Sequence, residues 1–260
     1  MTPLCWICRA NPANSREHKF KASDLRRFFG KNSWSSGSQP VHGVDGKSLR
    51  PVQGPKQPSM TFGPVICEYC NNTGTQPFDR AYDRFIGWVL GNRERVLRER
   101  SLDFSVIYGE HWEQAQLDLF RFFTKHLGCN IARSDGPPVP EDLRDVLFQA
   151  PFQTALNVTF HVHEDILLAP GADEGLFLGG LALFEPNEHG VHGFYSHIIV
   201  GWLMVCFWYY TAPTDPAATP WIADARVLKV GAHSGFTDEQ REEVRRRAKG
   251  LPHRPVFDGE

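Results

Sequence analysis

Two cysteine pairs of equal spacing carry the clearest chemistry in the sequence: Cys5 and Cys8 in CWIC, and Cys67 and Cys70 in CEYC. Each C-x-x-C turn can present two sulfurs to one ion, so two such turns complete a tetrahedral four-thiolate site of the kind zinc occupies. A site of this type contributes roughly 10–16 kcal/mol of apparent binding free energy to folding, which would hold together a segment with little core of its own. Cys129 and Cys206 stand singly in apolar surroundings and read as small buried hydrophobes. Between the cysteine pairs lies SREHKF, which places Glu17 beside His18 on a basic background, and Asn71 follows directly on Cys70.

Taken together, Cys5, Cys8, Glu17, His18, Cys67, Cys70 and Asn71 resemble the HNH nuclease family in its zinc-bearing form. The likeness covers about residues 5–90. It implies a ββα-metal, treble-clef-like fold with an acidic-His dipeptide on the first strand of a hairpin. A helix opening at Asn71 would pinch one divalent metal against that strand. In phosphodiester cleavage His18 would be the general base, since an imidazole with an unperturbed pKa near ~6.5 can take a proton from water at neutral pH. Glu17 and Asn71 would offer hard oxygen ligands to magnesium or manganese, which relieves charge on the phosphate and on the leaving oxygen. Arg16, Lys19, Lys21, Arg26 and Arg27 would then contact phosphates, with affinity falling as salt rises. The sequence departs from the family at three points. The supporting Asn of the hairpin has no clear counterpart beyond Ser59, the interval from His18 to Asn71 is long, and Gly74 stands where a basic residue is common. Asn72 is an alternative to Asn71 as ligand, because helix starts are uncertain by a residue or two.

The elements that must position these groups are legible from pattern. Residues 30–64 are rich in Gly, Ser, Pro and Lys and read as loops around short hairpin strands. From Pro77, the recurrence of Phe78, Tyr82, Phe85 and Val89 predicts a helix. A second is expected over EHWEQAQLDLFRFFTKHLG with Gly128 as its stop, and a third, short one after Pro140. Beyond Pro151, TALNVTFHVHEDILLA, GLFLGGLALFE, the run His197–Tyr210 and WIADARVLKVG read as antiparallel strands. Thr237 and Gln240 form a capping-box signature ahead of a polar helix. The expected fold class is α+β: a zinc-stapled lobe over 1–80, then helices and a mainly antiparallel sheet body over 81–260.

Other tempting residues have plainer readings. Asp79 and Asp83, four apart on the helix, read as a first-turn acid and a surface partner for an arginine. His161, His163 and Asp165 share one strand face and read as a half-exposed sheet surface rather than a metal site. His189 and His192 sit among turn residues, and Glu110-His111 reads as charge at a helix start.

Charge is distributed unevenly. Residues 1–60 hold ten Lys/Arg against three Asp/Glu, so they carry +7, and the formal net charge of −2 leaves −9 on the remainder. A basic front on an acidic body fits a polyanion-binding module attached to something else. The most apolar stretch, His197–Tyr210, is 14 residues long, short of the ~20 that a membrane helix needs. No apolar run follows the first residue, so a cytoplasmic location without membrane contact is expected. Two functions follow. The first is a metal-dependent endonuclease acting on nucleic acid, DNA ahead of RNA. The second is a non-catalytic zinc-stapled module that binds nucleic acid or protein. In either, the body could bind substrate or drive homo-oligomerisation.

Overall fold

The computed structural model describes residues 3–30, 41–42, 50–52, 54, 57–168, 175–188, 190–213 and 215–249. Much of the basic, loop-rich 30–64 segment, with Lys31, Lys47 and Lys56, lies outside them, as does His189.

Strand β1 (Ser15–His18) leads into helix α1 (Ala22–Phe29). A two-residue ladder of β2 (Val41–His42) with β3 (Arg50–Pro51) precedes β4 (Thr61–Ile66), which pairs antiparallel with β1. Cys70–Gly74 then form a π-helical turn that runs into α2 (Gln76–Gly91). Phe78, Tyr82, Phe85 and Val89 are buried on α2, as their spacing requires. The helical pattern breaks at Asn92 and resumes as α3 (Arg93–Glu99), followed by β5 (Ser101–Asp103) and α4 (Phe104–Tyr108).

Helix α5 (Trp112–Ala132) spans 21 residues, about 32 Å at 1.5 Å per residue. From Phe122 to Ile131 every residue is buried, so this half of the helix is a central post rather than a surface element. Gly128 does not end it. A Cβ at Gly128 would lie 2.4 Å from the Trp6 ring, so the glycine is there to let the first cysteine knuckle pack on α5. The expected stop was a close-approach site instead.

After α6 (Glu141–Phe148), the body is a six-stranded sheet ordered β12-β6-β10-β9-β7, with β8 also on β9. Its strands are β6 (Leu156–His163), β7 (Leu176–Leu178), β8 (Ala182–Pro186), β9 (His192–Val200), β10 (Leu203–Tyr209) and β12 (Gly231–His233). The apolar run at 197–210 is the β9–β10 hairpin, turning at Gly201 with φ +62°. All pairings are antiparallel except β12 with β6. β11 (Val227–Lys229) pairs with β5 instead, tying the end of the sheet to the helices. Last comes α7 (Asp238–Ala248), opened by the capping box. The Thr237 N–H donates to Gln240 Oε1 at 2.9 Å, and the Gln240 N–H donates to Thr237 Oγ1 at 3.2 Å.

The fold is thus α+β, with seven α-helices and mainly antiparallel sheets among the described residues. A boundary at residue 80 falls inside α2, and one contiguous core runs from Cys5, Trp6 and Ile7 through α2 and α5 to the sheet. Among the described residues no helix is long and apolar enough to cross a membrane.

Candidate metal centre and the crevice beside it

The Sγ atoms of Cys5, Cys8, Cys67 and Cys70 all lie within 4.8 Å of one another. Cys8 and Cys67 are 3.8 Å apart, the edge of a tetrahedron with metal–sulfur bonds of about 2.3 Å. Four sulfurs so placed can hold one metal ion such as zinc. Local structure prepares them for it. The knuckle turns at Arg9, whose φ is +53°, and the Asn11 Nδ2 and Cys70 N–H groups point at Cys67 Sγ from 3.8 and 3.5 Å. Burial pushes the Cys8 thiol up, but the N–H groups of Ala10 and Asn11 outweigh it and bring it down to about 7. Cys70 is driven the other way, by burial and by the other three sulfurs crowding it. All four sulfurs could be thiolates at this separation only with a cation among them.

The knuckle is wedged into the body. Trp6 donates its indole N–H to Cys129 Sγ at 3.4 Å. Arg144 donates to the Ile7 carbonyl at 2.8 Å, and Arg9 pairs with Glu141 on α6.

The second cysteine pair opens the π-turn, and Asn71 on that turn faces β1. Its Nδ2 donates to Ser15 Oγ at 2.8 Å and to the Arg16 carbonyl at 3.2 Å, clamping strand to helix start. Asn72 is exposed. The β1–β4 register slips between Arg16 and His18, so the ladder bulges at the Glu17–His18 dipeptide. Regular alternation would send these two side chains to opposite faces. Across the bulge both residues border one cavity of about 10 Å³, together with Lys19, Phe20, Lys21, Tyr82, Phe122 and His126. Ser59 lies on the 3-10 turn leading into β4, where its carbonyl accepts from Lys19 Nζ at 2.9 Å.

Glu17 Oε1 lies 3.1 Å from the ammonium of Lys125 on α5. That ammonium also reaches Thr75 Oγ1 at 3.3 Å and Asp79 Oδ1 at 3.4 Å. Lys125 is fully buried. Burial opposes its charge, but Glu17 and then Asp79 outweigh that and hold its pKa above the ordinary lysine value. Asp79 and Asp83 therefore do not face an arginine at the surface. They point across the crevice at two lysines, with Lys21 Nζ 2.6 Å from Asp83 Oδ2 and 4.0 Å from Asp79 Oδ1. Ser23 Oγ adds a bond to Asp83 Oδ1 at 2.6 Å.

One turn along α1, Asp24 is fully buried. It accepts from the Tyr82 hydroxyl at 2.7 Å and from Arg27 at 2.9 Å. Burial lifts its carboxyl to about 6 despite both partners. On the α5 side of the cavity, the His126 Nε2–H donates to the Lys19 carbonyl at 2.9 Å, and burial lowers that ring to about 4.

Of the five residues expected to meet phosphate, Arg16, Arg26 and Arg27 are exposed. Lys19, Lys21 and Arg27 are engaged within the chain, at Ser59, Asp83 and Asp24.

The ion that the resemblance implies, magnesium or manganese between Glu17 and Asn71, does not fit these residues as they stand. The Glu17 carboxylate is bonded by a buried ammonium, and the Asn71 amide is fixed to β1 through its Nδ2, which leaves only its Oδ1 to offer a metal. Lys125, Thr75 and Asp24 are the site residues that the sequence pattern did not single out. A lysine with Phe122 and Cys129 at i−3 and i+4, on an otherwise apolar helix face, was the available signal.

The histidine-rich strand is not the half-exposed face expected, since His161 and Asp165 are buried and Asp165 lies in the turn beyond the end of β6. His163 packs on His233 of β12, ring centroids 5.1 Å apart, and His161 Nδ1 lies 3.4 Å from Asp215 Oδ2. Asp165 is occupied by Ser234 Oγ, the Gly235 and Phe236 N–H groups and Arg241. Among the described residues, the four cysteines are the only set of three or more His, Cys, Asp or Glu side chains close enough to hold a metal. His192 Nδ1 meets the Phe184 carbonyl at 3.0 Å, and Glu110-His111 forms a 3-10 turn before α5.

No protein-family model, curated protein or solved structure matches this chain.

Proposed function

We propose that this chain is a zinc-stapled nuclease of the ββα, treble-clef type that hydrolyses phosphodiester bonds in nucleic acid, DNA ahead of RNA. One observation carries the reading. A four-cysteine cluster clamps a two-stranded ladder to the start of a helix, with His18 on the bulged strand between the two cysteine pairs. His18 takes the proton from the attacking water, and the exposed guanidinium groups of Arg16 and Arg26 offer charge to the phosphate. Asn71 ties the helix start to β1, and Glu17 ties the strand beside His18 to Lys125 on α5.

A second reading is favoured by the engagement of Glu17 with Lys125 and of Asn71 with β1. In it, the same scaffold binds nucleic acid or a protein partner without cutting. The two are separated by incubating the full chain with plasmid, single-stranded DNA and RNA, with and without magnesium or manganese, beside His18→Ala. The nuclease reading expects cleavage that falls at least about 100-fold in His18→Ala. If wild type leaves all three substrates intact, or if the variant cuts as well as wild type, that reading is abandoned. Salt-dependent binding without cleavage then supports the second.

A further inference from the structure

We propose that Lys125 is the resident cation of the Glu17–Asp79 carboxylate pair, so that this crevice holds an ammonium where the nuclease resemblance would put a divalent metal. The inference concerns the same crevice as the nuclease reading, but it holds whether or not nucleic acid is cut.

An ammonium has three hydrogens to donate. Lys125 has three acceptors around it, on two different elements: Glu17 on β1, and Thr75 and Asp79 at the cap and in the first turn of α2. Thr75 is oriented to accept because its own hydroxyl donates to the Cys70 carbonyl at 2.8 Å. The side chain is 1% exposed, and it approaches through the core, with its Nζ 5.8 Å from the centre of the Phe122 ring. A divalent ion bound to Glu17 at about 2.0–2.1 Å would meet this ammonium at close range in a site with little water. It would have to displace a lysine whose side chain is packed in the core. Charge is already largely matched as well, with Lys125 and Lys21 set against Glu17, Asp79 and Asp83.

The arrangement gives Lys125 a positioning role. It fixes the Glu17 side of the bulge from which His18 projects, and it joins α5 to the metal-bearing segment. Removing the ammonium while leaving the carboxylates sets two partly buried negative charges, Glu17 and Asp79, side by side without a counter-charge between them. Such a pair is what a divalent cation would then bind.

The test uses zinc-loaded full-length protein and manganese alone as probe, followed by the Mn²⁺ electron paramagnetic resonance signal and by thermal melting. Wild type should leave the free Mn²⁺ signal undiminished and shift its melting temperature by less than about 1 °C at millimolar ion, because an ion that does not bind the native state cannot stabilise it. Lys125→Met should melt lower and recover part of the loss as manganese is added. Glu17→Gln/Lys125→Met should lose that response. Should Lys125→Met not fold, the wild-type titration beside Glu17→Gln decides alone. Saturable manganese binding by wild type that Glu17→Gln abolishes overturns the proposal, and so does a Lys125→Met protein indifferent to the ion. Both readouts are independent of cleavage, so failure here is distinct from failure of the nuclease reading.

Discussion

At the scale of single residues, the cysteines were the most legible part of the chain. A tetrahedral ion dictates both their type and their spacing, and Cys5, Cys8, Cys67 and Cys70 converge as that spacing requires. Lys125 was illegible for the opposite reason. Lysine belongs at surfaces, and only the fold brings Glu17 and Asp79 to it from 108 and 46 positions away. Gly128 was noticed for the wrong property, as a helix stop rather than as a lack of side chain. Its role gives a direct prediction. Gly128→Ala puts a methyl into the Trp6 ring, and such overpacking typically costs about 1–3 kcal/mol. Because Trp6 lies between Cys5 and Cys8, the same variant should also surrender its metal faster to a colorimetric chelator. Urea unfolding and the rate of metal release measure the two effects. A variant as stable and as slow as wild type would mean that the knuckle does not rest on α5.

Among the elements, α2 and the β9–β10 hairpin followed their hydrophobic periods closely, because each buries one face or both against the core. The short pieces did not. β5, β11 and β12 have three residues each and take their pairing from distant partners, which no local pattern encodes. The α1–α2 contact is similarly non-local, and its buried part is the Asp24–Tyr82 bond. Its folded pKa of about 6 lies above the ordinary 3.8, so protonation favours the folded state. The stability it contributes is complete below pH 3.8 and is lost as pH rises through 6. His126 runs the other way. Its pKa is lowered from 6.5 to about 4, so its contribution is complete above pH 6.5 and is lost as pH falls toward 4. Between pH 4 and 6 the two slopes oppose, each worth up to about 3 kcal/mol. Asp24→Asn keeps an acceptor for Tyr82 but cannot ionise. At pH 7 it should be as stable as wild type or more so, by up to about 2 kcal/mol, with the advantage vanishing toward pH 4. Urea midpoints at pH 4.5, 6 and 7.5 give the difference profile. A difference that does not change with pH would show that the buried carboxyl ionises freely in the folded chain.

For the molecule as a whole, the issue is whether the four-cysteine segment is an appendage or part of the body. Composition and charge suggested an appendage, since residues 1–60 are basic and the remainder acidic. Packing argues otherwise. Cys5, Trp6, Ile7, Phe62 and Ile66 belong to the same core as Phe85, Phe123 and Phe160, and the Glu17–Lys125 pair and the Arg144–Ile7 bond cross the same seam. Sequence pattern cannot reveal such continuity, because it reports which residues are apolar and not whose apolar face they meet. The consequence concerns cooperativity. If the metal stabilised only a separate lobe, chelation would melt that lobe and leave the high-temperature transition of the body in place. With one core, removing the metal withdraws the support of Trp6 and Ile7 from α5, and the unfolding of every element shifts together. Calorimetry before and after treatment with a strong chelator should therefore give one transition in both states, lowered by more than about 10 °C in the second, given the several kcal/mol such sites supply. Two transitions, with only the lower one responding to chelation, would establish two independently stable lobes and a seam that contributes little.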